Sequence, residues 1–202
     1  MALALRELTT LHRRQQLALR KATIAQMEEL WPALDWADLD KTYPGFAAEV
    51  AAVVTSNRKV SSGLAAAYLR AFRVASGLSG DVRIVVPPMA PEQFKTSLRV
   101  TSLVAAKKSA ARLVDPRDAM TNALTMASGE MARLVLNGGR ETTNQTIRND
   151  SDAIGWRRIV GSSACDFCRT IGGSGSRIYP RDNADFDTHA RCGCTSEPVY
   201  RA

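Results

Sequence analysis

The sequence predicts a mainly α protein, a multi-helix body followed by a small α+β C-terminal module. Three observations carry that reading. Across roughly the first 150 positions, apolar residues recur at intervals of three, four and seven, the period of a helix with one buried face. Proline and glycine clusters punctuate that period instead of filling long loops. All four cysteines and one of the two histidines are confined to the last 38 positions, where short β-branched runs replace the helical pattern. The chain has 202 residues, 45% hydrophobic and 23% charged, the balance of a folded globular protein and not of a disordered one.

The first helix is expected over Leu3–Leu30, with Leu17, Ile24, Met27 and Trp31 on one face and Pro32 ending it. Tyr43-Pro44-Gly45 reads as a turn, and a second helix follows from Phe46 to Ala75, with Ser56-Asn57 or Gly63 as places to interrupt it. Gly77-Leu-Ser-Gly80 stops that helix. Asp81–Val86 is a β-branched run of strand character, closed by Pro87-Pro88. Pro91 suits the first position of a third helix carrying Phe94, Leu98, Val104 and Leu113. Asp115-Pro116 marks the clearest boundary: Asp115 caps, Pro116 opens the helix, and Asp118 faces its positive end. The stripe Met120, Leu124, Ala127, Met131 and Leu134 then reads as core packing. Gly138-Gly139 is expected to break or hinge this helix, with a last polar helix from Arg140 to Asn149. Beyond it, Trp156–Val160, Arg177–Tyr179 and Thr195–Tyr200 read as short strands, and Gly172–Ser176 as a loop.

The net charge is +7, which raises nucleic acid or an acidic protein as a partner. Residues 58–83 and 95–118 each carry +4, and the last 47 residues only +2, so the excess is spread along helix faces and not packed into one basic tract. No apolar run approaches the roughly 18 residues that cross a bilayer, which excludes an integral membrane protein of helical type. Arg6, Glu7, Arg13 and Arg14 interrupt the apolar N-terminus, so no export signal is expected. His12, in this arginine-rich stretch, is expected at the surface.

The end of the chain reads Cys165-Asp-Phe-Cys168, then twenty residues, then His189-Ala-Arg-Cys192-Gly-Cys194. Two cysteines separated by two residues place both sulfurs on one ion, and a second pair at this distance closes a tetrahedral site. A segment of this size buries too little apolar surface to be secure alone, so a staple is expected. The reading is one structural zinc per chain, held by Cys165, Cys168, His189 and either Cys192 or Cys194. Spacing does not choose between the last two. Disulfides would need an oxidising compartment. A thiol nucleophile with its base, Cys165 and His189, is the enzymatic alternative, and it requires both residues to be free of metal. The motifs of zinc deaminases, zinc proteases, phosphate-binding loops and serine hydrolases are absent.

These residues carry a family resemblance. Trp156-Arg-Arg-Ile-Val160, Ala164-Cys165-Asp-Phe-Cys168-Arg, Ser176-Arg-Ile-Tyr179 and His189-Ala-Arg-Cys192-Gly-Cys194-Thr-Ser-Glu-Pro-Val-Tyr200 resemble the end of phage Mu F-like minor head proteins, in the form found in actinobacterial phages. Gly138-Gly139-Arg-Glu-Thr142 resembles the segment leading into it. Thr188 and Ala190 stand where prolines are usual in that family. The resemblance divides the chain into a helical body, 1–137, with sub-boundaries near 81–90 and at 115–116, and a Cys/His module, 138–202. It implies a minor capsid protein of the virion, made in the bacterial host cytoplasm and placed in the capsid interior or at the portal. Its implied partners are portal and major capsid or scaffold proteins, with packaged DNA as a further contact and no membrane. Members are also described as capsid maturation proteases, for which this sequence offers no independent peptidase constellation. A zinc-bearing DNA-binding protein is the third reading.

Overall fold

The computed structural model describes residues 2–112, 115–161, 164–182, 186 and 188–201. Helix α1 spans Ala2–Leu30 and α2 spans Leu39–Ala75, joined by two single 3-10 turns at Trp31–Ala33 and Trp36–Asp38. Helix α3 (Pro91–Arg99) continues through a π turn at Val100–Val104 into α4 (Ala105–Ala110). Helix α5 runs from Pro116 to Asn149, followed by β1 (Ala153–Ile159), α6 (Asp166–Gly172), β2 (Ile178–Pro180) and β3 (Thr195–Tyr200). The chain is therefore mainly helical, with one small antiparallel sheet in the order β2-β1-β3.

The main core lies where α1, α2, α3 and α5 meet. Met27, Trp31, Phe46, Val50, Val54, Phe94, Leu98, Met131 and Leu134 are buried together, which places the predicted α5 stripe in the core. Met120 and Leu124 pack at its edge. Asp115 caps α5 by accepting the Arg117 backbone N–H at 2.7 Å, and Pro91 opens α3 as expected. Leu113 lies outside the described residues.

Four local expectations are corrected. Pro44 and Gly45 do not make a turn but sit in the second turn of α2, which begins at Leu39. There proline has no N–H to donate to the Asp40 carbonyl, and the helix continues with that one hydrogen bond missing. Gly63 leaves α2 uninterrupted. Residues 81–90 form no strand; they run as an extended strap over the helices. Val82 is buried, Ile84 packs beside Tyr68, Leu69 and Phe72, and the Val85 N–H donates to Thr146 Oγ1 at 3.0 Å. The β-branched side chains thus find their apolar partners on helices, without a neighbouring strand.

Gly138-Gly139 likewise neither breaks nor hinges α5, which is continuous from Pro116 to Asn149. Both glycines are buried against α2. A Cβ on Gly138 would stand 2.7 Å from the Arg58 carbonyl oxygen, and one on Gly139 would stand 2.9 Å from that of Ser61. The pair exists so that two helix backbones can approach, and the Gly139 N–H donates to Ser61 Oγ at 2.9 Å across the contact.

The sheet packs on the second half of α5. Trp156, 1% exposed, stacks on Tyr179 with centroids 4.4 Å apart and meets Phe186 on its other side. The strands predicted at both ends of the module pair with β1 on opposite edges: Trp156 faces Tyr179 in β2 and Pro198 in β3. Gly155 is required here, since any Cβ would collide with the Tyr179 carbonyl.

Candidate metal centre

Strand β1 is followed in the chain by α6, whose first turn carries Cys168. Cys165 is the N-cap of that helix, and its sulfur accepts the Cys168 backbone N–H at 3.4 Å. The Cys-x-x-Cys spacing therefore becomes one helical turn, with both sulfurs at the same end. The second group arrives on the irregular segment before β3. A turn at residues 189–192, closed by the Cys192 N–H donating to the His189 carbonyl, brings His189 and Cys192 round to the first pair. Arg191 takes a left-handed conformation at φ 65° to make that turn.

All five sequence-predicted residues converge. Cys165, Cys168 and His189 form one triad and Cys168, Cys192 and Cys194 another, with the donor atoms of each triad within 4.8 Å of one another. Cys168 belongs to both. His189 Nε2 stands 3.0 Å from Cys165 Sγ and 3.5 Å from Cys168 Sγ, and Cys168 Sγ stands 3.7 Å from Cys192 Sγ. Zinc–sulfur bonds of about 2.3 Å in a tetrahedron set sulfurs about 3.8 Å apart, so these spacings suit a single ion. All four cysteines stand as free thiols.

The surroundings also fit a cation. His189 Nδ1 lies 2.7 Å from the Ala190 carbonyl oxygen, where an N–H on that nitrogen donates and leaves Nε2 unprotonated towards the sulfurs. The same carbonyl holds the imidazole above its ordinary pKa. Burial pushes the Cys168 thiol up to about 11, while the hydrogen bond from Cys194 and the nearby Arg140 charge draw Cys192 down to about 4. Cys194 is raised, first by that same bond. Cys165 is exposed and lowered, chiefly by the Cys168 N–H. Cys168, Cys192 and Cys194 are buried with Val160, Ala164 and Phe186 packed round them.

Arg140 is the residue that sequence reasoning missed. It lies on α5, 5% exposed, and its guanidinium donates to the Cys192 carbonyl at 2.6 Å and to the Cys194 carbonyl at 3.1 Å. Its NH1 donates to Asn137 Oδ1 at 3.0 Å. Burial lowers its pKa to about 10, and the Cys192 and Cys194 thiols oppose the fall. A signal was present: Leu136, Arg140, Thr143 and Ile147 continue the buried stripe of α5 at intervals of four, three and four.

His12 is corrected as well. It is 2% exposed, stacked on Tyr68 with centroids 4.4 Å apart, and burial lowers its pKa to about 4. Beside it, Thr9 donates to Glu197 and bonds Tyr68, which ties α1 to β3. Of the basic residues in the +4 segment 95–118, Lys108 and Arg112 are exposed, and Lys107 is paired with Asp40 at 2.6 Å.

Among the described residues, no helix is long and apolar enough to cross a membrane. No curated protein and no solved structure matches the chain. A family model described as VG15 protein matches residues 4–202, almost the entire length. The chain therefore belongs to the VG15 protein family, a family of phage proteins.

Proposed function

We propose that this phage protein is a minor capsid protein of the Mu F-like kind, associated with the portal and acting in head assembly or in DNA packaging and ejection. The observation that carries the reading is the convergence of Cys165, Cys168, His189, Cys192 and Cys194 behind a tryptophan-led strand. Membership in a phage family supports it from the side of origin. In this reading 138–202 is the Mu F-like module and 1–137 the body that meets its partners. Cys165, Cys168, His189 and one of Cys192 and Cys194 hold one structural zinc, and the ion supplies the folding energy that the small sheet lacks. The cluster offers more donors than a tetrahedral ion uses, which favours a closed, structural site over an open, catalytic one.

The partners in this reading are portal and major capsid or scaffold proteins, met by the exposed basic face that includes Lys108 and Arg112. The experiment is the double charge reversal Lys108→Glu, Arg112→Glu, followed by counting the protein in purified heads. Reduced copy number is expected, and unchanged copy number overturns the assignment of that face.

A second reading, a capsid maturation protease, is favoured by one observation: the exposed Cys165 sulfur stands 3.0 Å from His189 Nε2. Cys168→Ala separates the two. It removes the donor shared by both triads and should unfold a metal module, yet leave a Cys165 peptidase folded and cleaving capsid protein.

A further inference from the structure

The sequence spreads its positive charge, but the fold gathers part of it. Arg6, Arg13 and Arg20 recur every seven residues along α1, and so share one face of the helix. That face looks towards β1 and the loops round the cysteine cluster. Two clefts open there and meet at Arg13, which lines both. One, of about 620 Å³, is bounded by Leu5, Arg6, Arg13, Arg157, Ile159 and Val160. The other, of about 220 Å³, is bounded by Arg13, Arg20, Gly161, Arg191 and Gly193.

Five arginines thus face one continuous seam. Among the described residues, the single carboxylate lining it is Glu197, which Arg157 pairs at 2.8 Å and Thr9 bonds. Among the described residues, no carboxylate pairs with Arg6, Arg13 or Arg20. Arg20 Nε is buried without a hydrogen-bond partner. Arg13 is seated deliberately: its Nε donates to the Gly193 carbonyl at 3.3 Å, and Gly161 leaves the space its guanidinium fills, since a Cβ there would collide with it. Arg191 donates to the Thr125 carbonyl at 3.2 Å and closes the far end.

We infer that this seam binds the phosphodiester backbone of single-stranded nucleic acid. Guanidinium groups are the side chains that match phosphate oxygens two at a time, and the seam contains arginine with no lysine. The two clefts, of about 620 and 220 Å³, form a recessed track that suits a flexible single strand better than the stiff, wide cylinder of a duplex. Leu5, Ile159 and Val160 give the bases an apolar wall while the phosphates follow the arginines. An acidic peptide would find the same charge with carboxylates in place of phosphates, so it stands as the competing outcome. The inference goes beyond the assembly role and does not depend on the metal or on incorporation into heads.

The test is fluorescence anisotropy of the full chain with a labelled oligothymidylate of twelve residues, titrated at several salt concentrations. Arg6→Gln and Arg20→Gln together should weaken binding at least tenfold and flatten the salt dependence by about 0.7 in log–log slope per arginine removed. Arg6 is exposed and, among the described residues, makes no side-chain bond, so Arg6→Gln alone reports on binding even where a deeper change affects folding. Two results overturn the inference. One is equal weakening by Lys108→Gln, a residue that lines neither cleft. The other is a duplex or a polyglutamate peptide binding as tightly as the oligothymidylate.

Discussion

Arg140, in the last third of α5, donates to the backbone carbonyl of Cys192 at 2.6 Å, so the helix grips the loop that carries the second half of the cysteine cluster. Among the described residues, no carboxylate pairs with the guanidinium. Its counter-charge is the thiols, and the ion-bound cluster of three thiolates and one histidine would carry one net negative charge to balance it. This couples two parts of the chain that sequence reading treats separately, the helical scaffold and the metal module.

Removing that group leaves the carbonyls of Cys192 and Cys194 buried without donors. Each such loss costs roughly 1–3 kcal/mol, so Arg140→Met should destabilise the protein by about 2–5 kcal/mol in chemical denaturation. Arg140→Lys keeps the charge but cannot span both carbonyls, and should recover only part of the loss. Equal stability of Arg140→Met and the parent chain would remove Arg140 from the account of the cluster.

The glycines make a sharper contrast, because their surroundings differ. Gly138→Ala places a methyl group against the Arg58 carbonyl, between two helices that cannot separate without opening the core. A loss of about 3 kcal/mol or more is expected, at the upper end for overpacking. Gly63→Ala lies in α2 with nothing within 4 Å of the added atom. Its gain should be about 0.5–1 kcal/mol, from helix propensity alone. Thermal denaturation of the two variants decides, and the signs must be opposite.

His12 predicts a pH dependence. Buried against Tyr68, it is held at about 4, while an unfolded chain restores it to about 6.5. The unfolded state therefore takes up the proton first, and this contribution to stability is full above pH 6.5 and lost as pH falls towards 4. Its size is about 3 kcal/mol. His12→Phe retains the stacking and cannot titrate. The stability difference between the parent and His12→Phe should shift by that amount between pH 7.5 and 4, whereas a constant difference would show that His12 charges freely in the fold. Acid loss of any bound metal affects both proteins alike and cancels in the comparison.

What could be read in the residues follows from the range of the forces involved. Asp115-Pro116 and Pro91 were legible because capping and the fixed proline φ act within one turn. The cysteine spacing was legible because chelation by a turn is also local. Gly138-Gly139 was read as a break because a glycine pair carries the same local signal in a hinge and in a close helix crossing; only the opposing backbone of α2 distinguishes them. Asp81–Val86 looked like a strand for a similar reason, since β-branched residues fit any extended chain with one apolar side. His12 and Arg140 share the remaining cause. Both are polar residues on buried helix faces, and their polarity conceals the stripe they belong to.

The last prediction concerns the metal itself. Elemental analysis of the reduced, purified protein should find one zinc per chain, and a strong chelator should lower the melting temperature sharply, because ion binding at such sites is worth on the order of 10 kcal/mol. The variants should be graded by geometry. Cys168→Ser removes the donor common to both triads and should abolish binding. Cys165→Ser and His189→Ala each remove one member of the outer triad and should weaken it. Cys192→Ser and Cys194→Ser separate the two candidates for the remaining position. Cys192, 3.7 Å from Cys168 and the more readily deprotonated of the pair, should bind the ion, so its loss should release zinc while Cys194→Ser retains it. Zinc retained by Cys192→Ser and lost by Cys194→Ser would exchange their roles. A chain with no zinc at all would return Cys165 and His189 to the status of a free thiol–imidazole pair, for which cleavage of capsid protein is the next measurement.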